Sequence, residues 1–70
     1  MAQTYTAVIK RVDEWWVGWI AEISGINCQE TTREQLLKTL EITLREAIAF
    51  NRREVLMMVG SDYCEESIVL

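Results

Sequence analysis

The first part of the chain alternates between polar and apolar positions. Over residues 4–12, threonines, valine and isoleucine alternate with other side chains, a period of two that is typical of a β-strand. A polar pair at 13–14 interrupts this pattern, and residues 15–23 then combine aromatic and β-branched side chains. This order predicts an antiparallel hairpin with a short polar turn. After a break at 24–25, we expect a short third strand at 26–30.

The hydrophobic period then lengthens to about 3.6 residues, which predicts an α-helix. Thr32 and Gln35 have the spacing of a capping box, and Glu34 lies in the first turn, where a negative charge complements the helix dipole. One buried stripe is predicted along this helix. Its members are Leu36, Leu37, Leu40, Leu44, Ala47 and Ile48. The helix is predicted to end near residues 51–53, because the arginines there suit a helix C-terminus.

Two further apolar segments follow the predicted helix. Residues 55–59 are a continuous apolar run of the kind found in a buried strand, and residues 60–62 break it. Residues 68–70 are expected either to pair as a last short strand or to fray. The resulting order βββαβ predicts an α+β fold, in which an antiparallel three-stranded sheet carries one helix on a single face and a strand follows. Residues 1–70 contain no repeat or linker and are expected to form a single domain.

A two-residue turn would pair Val12 with Trp15 and Val8 with Trp19, and this register assigns the two faces of the hairpin. The face toward the helix is predicted to carry Tyr5, Ala7, Ile9, Trp16, Gly18 and Ile20. The opposite face is predicted to carry Thr6, Val8, Lys10, Trp15, Val17 and Trp19.

The tryptophans cannot all be buried under one helix. A single tryptophan in a short strand is most often part of the core. Trp15 and Trp16 are adjacent, however, and neighbouring residues of a strand point to opposite faces. An uncovered indole would forfeit much of its burial energy, so the face away from the helix is expected to self-associate. The predicted interface of this homodimer, or higher homo-oligomer, consists of Val8, Trp15, Val17 and Trp19.

Composition and charge point to a protein partner. Half of the 70 residues are hydrophobic and 26% are charged, which is globular composition, and so short a chain gains only marginal stability from its own core. The net charge of −4 repels a phosphate backbone, so no direct nucleic-acid binding is expected. The same charge suits a basic protein partner. The acids predicted to bind it are Glu14, Asp62, Glu65 and Glu66.

Residues with catalytic or ligand-binding chemistry are few. The chain has no histidine, which excludes Ser-His, Cys-His and His-metal arrangements within it. Cys28 and Cys64 form no CxxC pair, and Cys28 is more often a small buried hydrophobe than a nucleophile. Adjacent acids such as those at 65–66 are more often solvated surface than a cation site. The sequence therefore predicts no enzyme, no metal site and no cofactor.

The expected location is the cytoplasm. The two distant cysteines fit a reducing compartment, and no basic segment followed by an apolar run opens the chain. No stretch has the length of a membrane span, so no membrane association is expected.

Three features together resemble the HicB antitoxin family. They are the acidic turn and aromatic strand at 13–17, the glycine turn at Gly25, and the helix opening at 32–36, Thr-Arg-Glu-Gln-Leu. The resemblance spans roughly residues 4 to 50. It implies a partial RNase H-like fold without a nuclease site, and it implies neutralisation of a HicA-type toxin, a small mRNA endonuclease that resembles a double-stranded-RNA-binding domain. Operator binding is not carried over, because no DNA-binding segment is expected here.

Two other classes of function remain open from the sequence. A homo-oligomeric scaffold or ligand-binding domain without a toxin partner fits the composition equally well. A metal-dependent nuclease ranks last, because it needs several carboxylates that converge on metal ions, and the strands offer Glu22 and little else. A neighbouring reading frame for a small basic, histidine-containing protein would favour the antitoxin.

Overall fold

A computed structural model of the chain describes residues 4–70 and has the element order βββα. Strands β1 (Ala7–Val12), β2 (Trp15–Ile20) and β3 (Ile23–Glu30) form an antiparallel sheet in the order β1-β2-β3. Helix α1 (Arg33–Val59) follows and contacts β2 and β3. The predicted α+β class, with a three-stranded sheet followed by a helix, is confirmed. Strand β1 begins later than predicted, and β3 begins earlier.

The predicted hairpin register is also confirmed. Val12 pairs with Trp15 and Val8 pairs with Trp19, as a two-residue turn requires. Asp13 takes φ = 56° in this turn, a left-handed conformation that aspartate tolerates better than most residues.

The break predicted at 24–25 was wrong: β2 ends at Ile20, the turn lies at residues 21–22, and Gly25 is inside β3. Gly25 has φ = 87°, where glycine avoids the strain that a Cβ would introduce.

The start of α1 matches the capping prediction. Thr32 is extended, and its Oγ1 accepts a hydrogen bond of 3.1 Å from the backbone N–H of Gln35. About one turn after Gln35, the Thr39 hydroxyl donates a hydrogen bond to Glu30 Oε2 at 2.8 Å, which links the helix to the end of β3. The helix therefore begins at a fixed point beside the sheet.

The predicted end of the helix was wrong. Helix α1 continues through residues 51–53 to Val59, so the strand predicted at 55–59 is about its last one and a half turns. A short apolar run cannot distinguish strand from helix by periodicity, and the leucine and methionines of this run are good helix formers. Gly60 is the residue that ends the helix: it has φ = 80°, and its N–H donates to the Leu56 carbonyl at 3.1 Å. Residues 68–70 belong to no strand.

The core lies between the sheet and the first half of α1. Its buried hydrophobic side chains are Ile20, Ile26, Leu36 and Leu40, of which the two leucines are fully buried. Partly buried neighbours pack against them: Tyr5, Ile9, Trp16, Ile23, Cys28, Leu44 and Ala47. Four members of the predicted helical stripe, Leu36, Leu40, Leu44 and Ala47, are thus confirmed, whereas Leu37 is only half-buried outside this cluster and Ile48 is 37% exposed.

The helix extends beyond the sheet. Its 27 residues span about 40 Å at about 1.5 Å per residue, whereas the eight residues of β3 reach only about 27 Å at about 3.4 Å each. The longest axis of the molecule is accordingly 51 Å. Because Ala47 is the last helical residue packed against the core, the turns from Ile48 to Val59 project past the end of the sheet.

Candidate protein-binding surfaces

The outer face of the sheet carries two exposed tryptophans. Trp15 is 43% exposed and Trp19 is 39% exposed, beside Val8 at 49%. Val17 is half-buried on the same face, while Trp16 points to the other side and packs against the core. The four residues predicted as a self-association surface therefore lie together on the face away from α1, and we call them the tryptophan face.

Cross-strand pairing shows which residues surround the tryptophan face. Val8 pairs with Trp19, which pairs with Asn27 of β3; in the next row, Lys10 pairs with Val17, which pairs with Gln29. Directly paired residues share one face of an antiparallel sheet. Lys10 is thus the one charged residue in these two rows, so the centre of this face is apolar and its surroundings are nearly neutral.

The four predicted partner-binding acids do not come together. Glu14 lies in the β1–β2 turn, which is close to the start of α1 because Trp16 pairs with Glu30. Asp62, Glu65 and Glu66 follow the end of the same 27-residue helix. The structure therefore separates Glu14 from the other three by most of the length of the molecule, and one continuous acidic site is not formed.

The chain turns back along the helix after Gly60. Arg52 Nη2 lies 2.7 Å from Glu65 Oε1, and this hydrogen-bonded ion pair raises the pKa of the Arg52 guanidinium above its ordinary value. Asp62, with φ = 60°, forms part of the turn that makes this return possible. Asp62 and Glu66 are exposed. Glu65 is therefore partly neutralised, and its two acidic neighbours project into solvent beside the helix.

The projecting part of α1 exposes large apolar side chains, and two of them, Met57 and Met58, belong to the run at 55–59 that was predicted as a buried strand. Phe50 is 59% exposed, Met57 71% and Met58 85%. Beside them, a groove of about 850 Å³ runs between α1, the returning segment and the end of the sheet. Val55, Val59, Tyr63 and Cys64 are among its lining residues. The signal available in the sequence was the absence of any glycine or proline between Gly25 and Gly60, so nothing interrupts the helical pattern before Gly60.

Glu22 has a structural contact. It lies in the β2–β3 turn, where its Oε1 accepts a hydrogen bond of 2.7 Å from the backbone N–H of Thr6. This bond, followed by one to the Thr6 side chain, lowers the pKa of the Glu22 carboxyl. The carboxylate thus holds the start of β1 beside the turn.

The remaining reactive groups are isolated. Cys28 is half-buried with its Sγ 3.6 Å from Thr43 Oγ1, and Cys64 is an exposed free thiol. Within residues 4–70, no three histidine, cysteine, aspartate or glutamate side chains are grouped so as to hold a metal ion. In the same part of the chain, no helix combines the length and apolar character that crossing a membrane requires.

Comparisons of the chain with protein-family models, curated proteins and solved structures give no match. The features of this chain that bear on its function are therefore the surfaces described above and the sequence features at 13–17, Gly25 and 32–36.

Proposed function

We propose that this chain is an antitoxin-type domain that neutralises a HicA-type mRNA endonuclease by binding to it. The observation that carries the proposal is the presence of large exposed side chains in two places on a small folded domain. They are Trp15 and Trp19 on the sheet, and Phe50, Met57 and Met58 on the projecting part of α1. Tryptophan is enriched at protein interfaces, and each fully buried indole contributes roughly 4–6 kcal/mol at about 25 cal/mol per Å². Surfaces of this kind favour association with protein over catalysis.

The choice of a toxin as partner follows from the resemblance to the HicB family. The acidic turn and aromatic strand at 13–17 lie in the hairpin, and the motif at 32–36 opens α1. A nuclease that grips RNA needs a basic face, which a chain of net charge −4 complements. We place this complex in the cytoplasm, where such a toxin meets its mRNA substrates.

A second candidate, a homo-oligomeric scaffold, is favoured by one specific observation. The tryptophan face has a single charged residue, Lys10, in its two central rows, so two copies can approach without strong like-charge repulsion. Self-association through this face is compatible with toxin binding elsewhere. The two functions differ in whether a toxin is bound at all.

The deciding experiment is co-expression with the product of the adjacent reading frame, followed by purification of the complex and an RNA-cleavage assay. The antitoxin proposal expects a stable complex and loss of RNA cleavage when this chain is added in equal amounts. An active-site variant of the toxin, which binds but does not cleave, is the control for expression toxicity. Undiminished RNA cleavage in the presence of excess chain would refute the antitoxin function, and a homo-oligomer found without any complex would support the scaffold.

A further inference from the structure

The projecting end of α1 and the segment that follows form a second exposed surface. We define the C-terminal surface as residues 50–66, which include Phe50, Met57 and Met58 at 59%, 71% and 85% exposure. Exposed methionines are characteristic of adaptable protein-binding surfaces, because their flexible side chains repack against a partner. This surface lies past the end of the sheet, away from the centre of the tryptophan face.

Helical geometry explains why these side chains are uncovered. Residues seven apart in a helix differ by only about 20° around its axis, so Phe50, which is 14 residues after Leu36, lies within about 40° of it. Met58 is 18 residues after Leu40, which is about five full turns, so these two residues lie on the same side. In the first half of α1 this side packs against the sheet through Leu36 and Leu40. After Ala47, the described residues of α1 no longer pack against the core, and Met58 is 85% exposed.

The charges around this apolar patch are mostly acidic. Residues 50–66 contain four acids, Glu54, Asp62, Glu65 and Glu66, and two cations, Arg52 and Arg53. Arg52 is paired with Glu65 at 2.7 Å and Arg53 is exposed, so the acids exceed the cations by two. The patch is therefore apolar at its centre and acidic at its edge, whereas the tryptophan face is nearly neutral.

We propose that the C-terminal surface binds a basic protein partner, with Phe50, Met57 and Met58 contacting apolar side chains of that partner and the surrounding acids facing its cations. This inference rests on the proposed function, since it assigns the surface on which the toxin is held. A second copy of this chain is the poorer occupant, because it would bring two surfaces of the same net negative charge together. A small basic protein whose binding face has an apolar centre would be attracted to this surface instead of repelled by it.

The test measures the affinity of the full chain for the HicA-type product of the adjacent reading frame by titration calorimetry. The apolar variant is Met57→Ser with Met58→Ser, and the charge variant is Glu66→Lys. Both act at exposed positions, so melting temperatures should stay close to that of the wild type. The matched controls are Ile42→Ser, which alters a side chain 54% exposed elsewhere on α1, and Glu46→Lys.

We expect the methionine pair to weaken binding at least tenfold, about 1.4 kcal/mol, and the two controls to bind like the wild type. Glu66→Lys should slow association, and its effect should shrink at high salt. Equal weakening by the controls, or wild-type affinity in the methionine pair, would overturn the C-terminal surface while leaving toxin binding intact. Absence of binding by the wild type would instead refute the proposed function, and the inference that rests on it.

Discussion

Leu40 of α1 packs directly against Gly18 of β2, where a larger residue would leave no space for its side chain. A Cβ added to Gly18 would lie 2.7 Å from Leu40 Cδ1 and 3.1 Å from side-chain carbons of both Ile9 and Leu36. Leu40 is 1% exposed and Leu36 is fully buried, so neither side chain has free space to move into. The glycine in β2 thus allows the helix to approach the sheet closely.

The first prediction is that Gly18→Ala destabilises the fold by about 1–3 kcal/mol, the usual effect of overpacking a tight core. Chemical denaturation followed by tryptophan fluorescence measures this change. The control is the same substitution in a Leu40→Val background, where the shorter side chain leaves space for the added methyl group. The loss should then be smaller than in the wild type, and equal losses in both backgrounds would contradict the proposed contact.

The second prediction concerns the buried stripe of α1. Leu40→Ala should destabilise the fold by about 2–5 kcal/mol, because the residue is 1% exposed and its truncation leaves a cavity. Leu44→Ala should cost less, since Leu44 is only half-buried. Lys38→Ala, at an exposed position of the same helix, should change the free energy of unfolding by no more than about 0.5 kcal/mol. Thermal melts of the three variants test this order, and similar losses in all three would disprove it.

The sequence was sufficient to predict the hairpin, its register and the start of the helix. The adjacent pair Trp15–Trp16 was enough to predict that each face of the sheet carries a tryptophan, because neighbouring side chains of a strand point to opposite faces. Thr32 and Gln35 marked the helix start, because capping is a local interaction that needs no tertiary information. These features depend only on residues close together in the chain.

The end of the helix and the C-terminal surface could not be predicted in the same way. Arg52 was interpreted as a sign of a helix end, but its partner is Glu65, a contact between residues 13 apart that periodicity does not show. The run at 55–59 has the composition of either a strand or a helix. The separation of Glu14 from Glu65 likewise follows from the length of α1, which the sequence pattern underestimated.

The third prediction concerns pH. The pKa of Glu22 is lowered from its ordinary value of 4.5 by the hydrogen bonds from Thr6, so the carboxylate form stabilises the folded chain. This contribution is fully present above pH 4.5 and is lost as the pH falls toward the lowered pKa of the folded state. Titration by NMR should show the Glu22 carboxyl ionising below the value of a model glutamate. Glu22→Gln should melt with a shallower dependence on acid pH, and an unchanged dependence would contradict this assignment.

The last prediction concerns assembly through the tryptophan face. Trp15 and Trp19 remain 43% and 39% exposed, and no part of residues 4–70 covers this face of the sheet with a second helix or strand. We therefore expect the chain to sediment as a homodimer or a higher homo-oligomer at micromolar concentrations, and its melting temperature to rise with concentration.

Replacing both residues, Trp15→Ser with Trp19→Ser, should yield a monomer in sedimentation equilibrium, because central aromatic side chains contribute most of the energy of such interfaces. Helix α1 and its core contacts lie on the other face of the sheet, so the far-ultraviolet circular dichroism of this variant should keep its helical signal. Ile42→Ser, which removes an exposed apolar side chain from α1, is the matched control and should assemble as the wild type does. A monomeric wild type at these concentrations would refute self-association, and a double variant that still assembles would place the interface elsewhere.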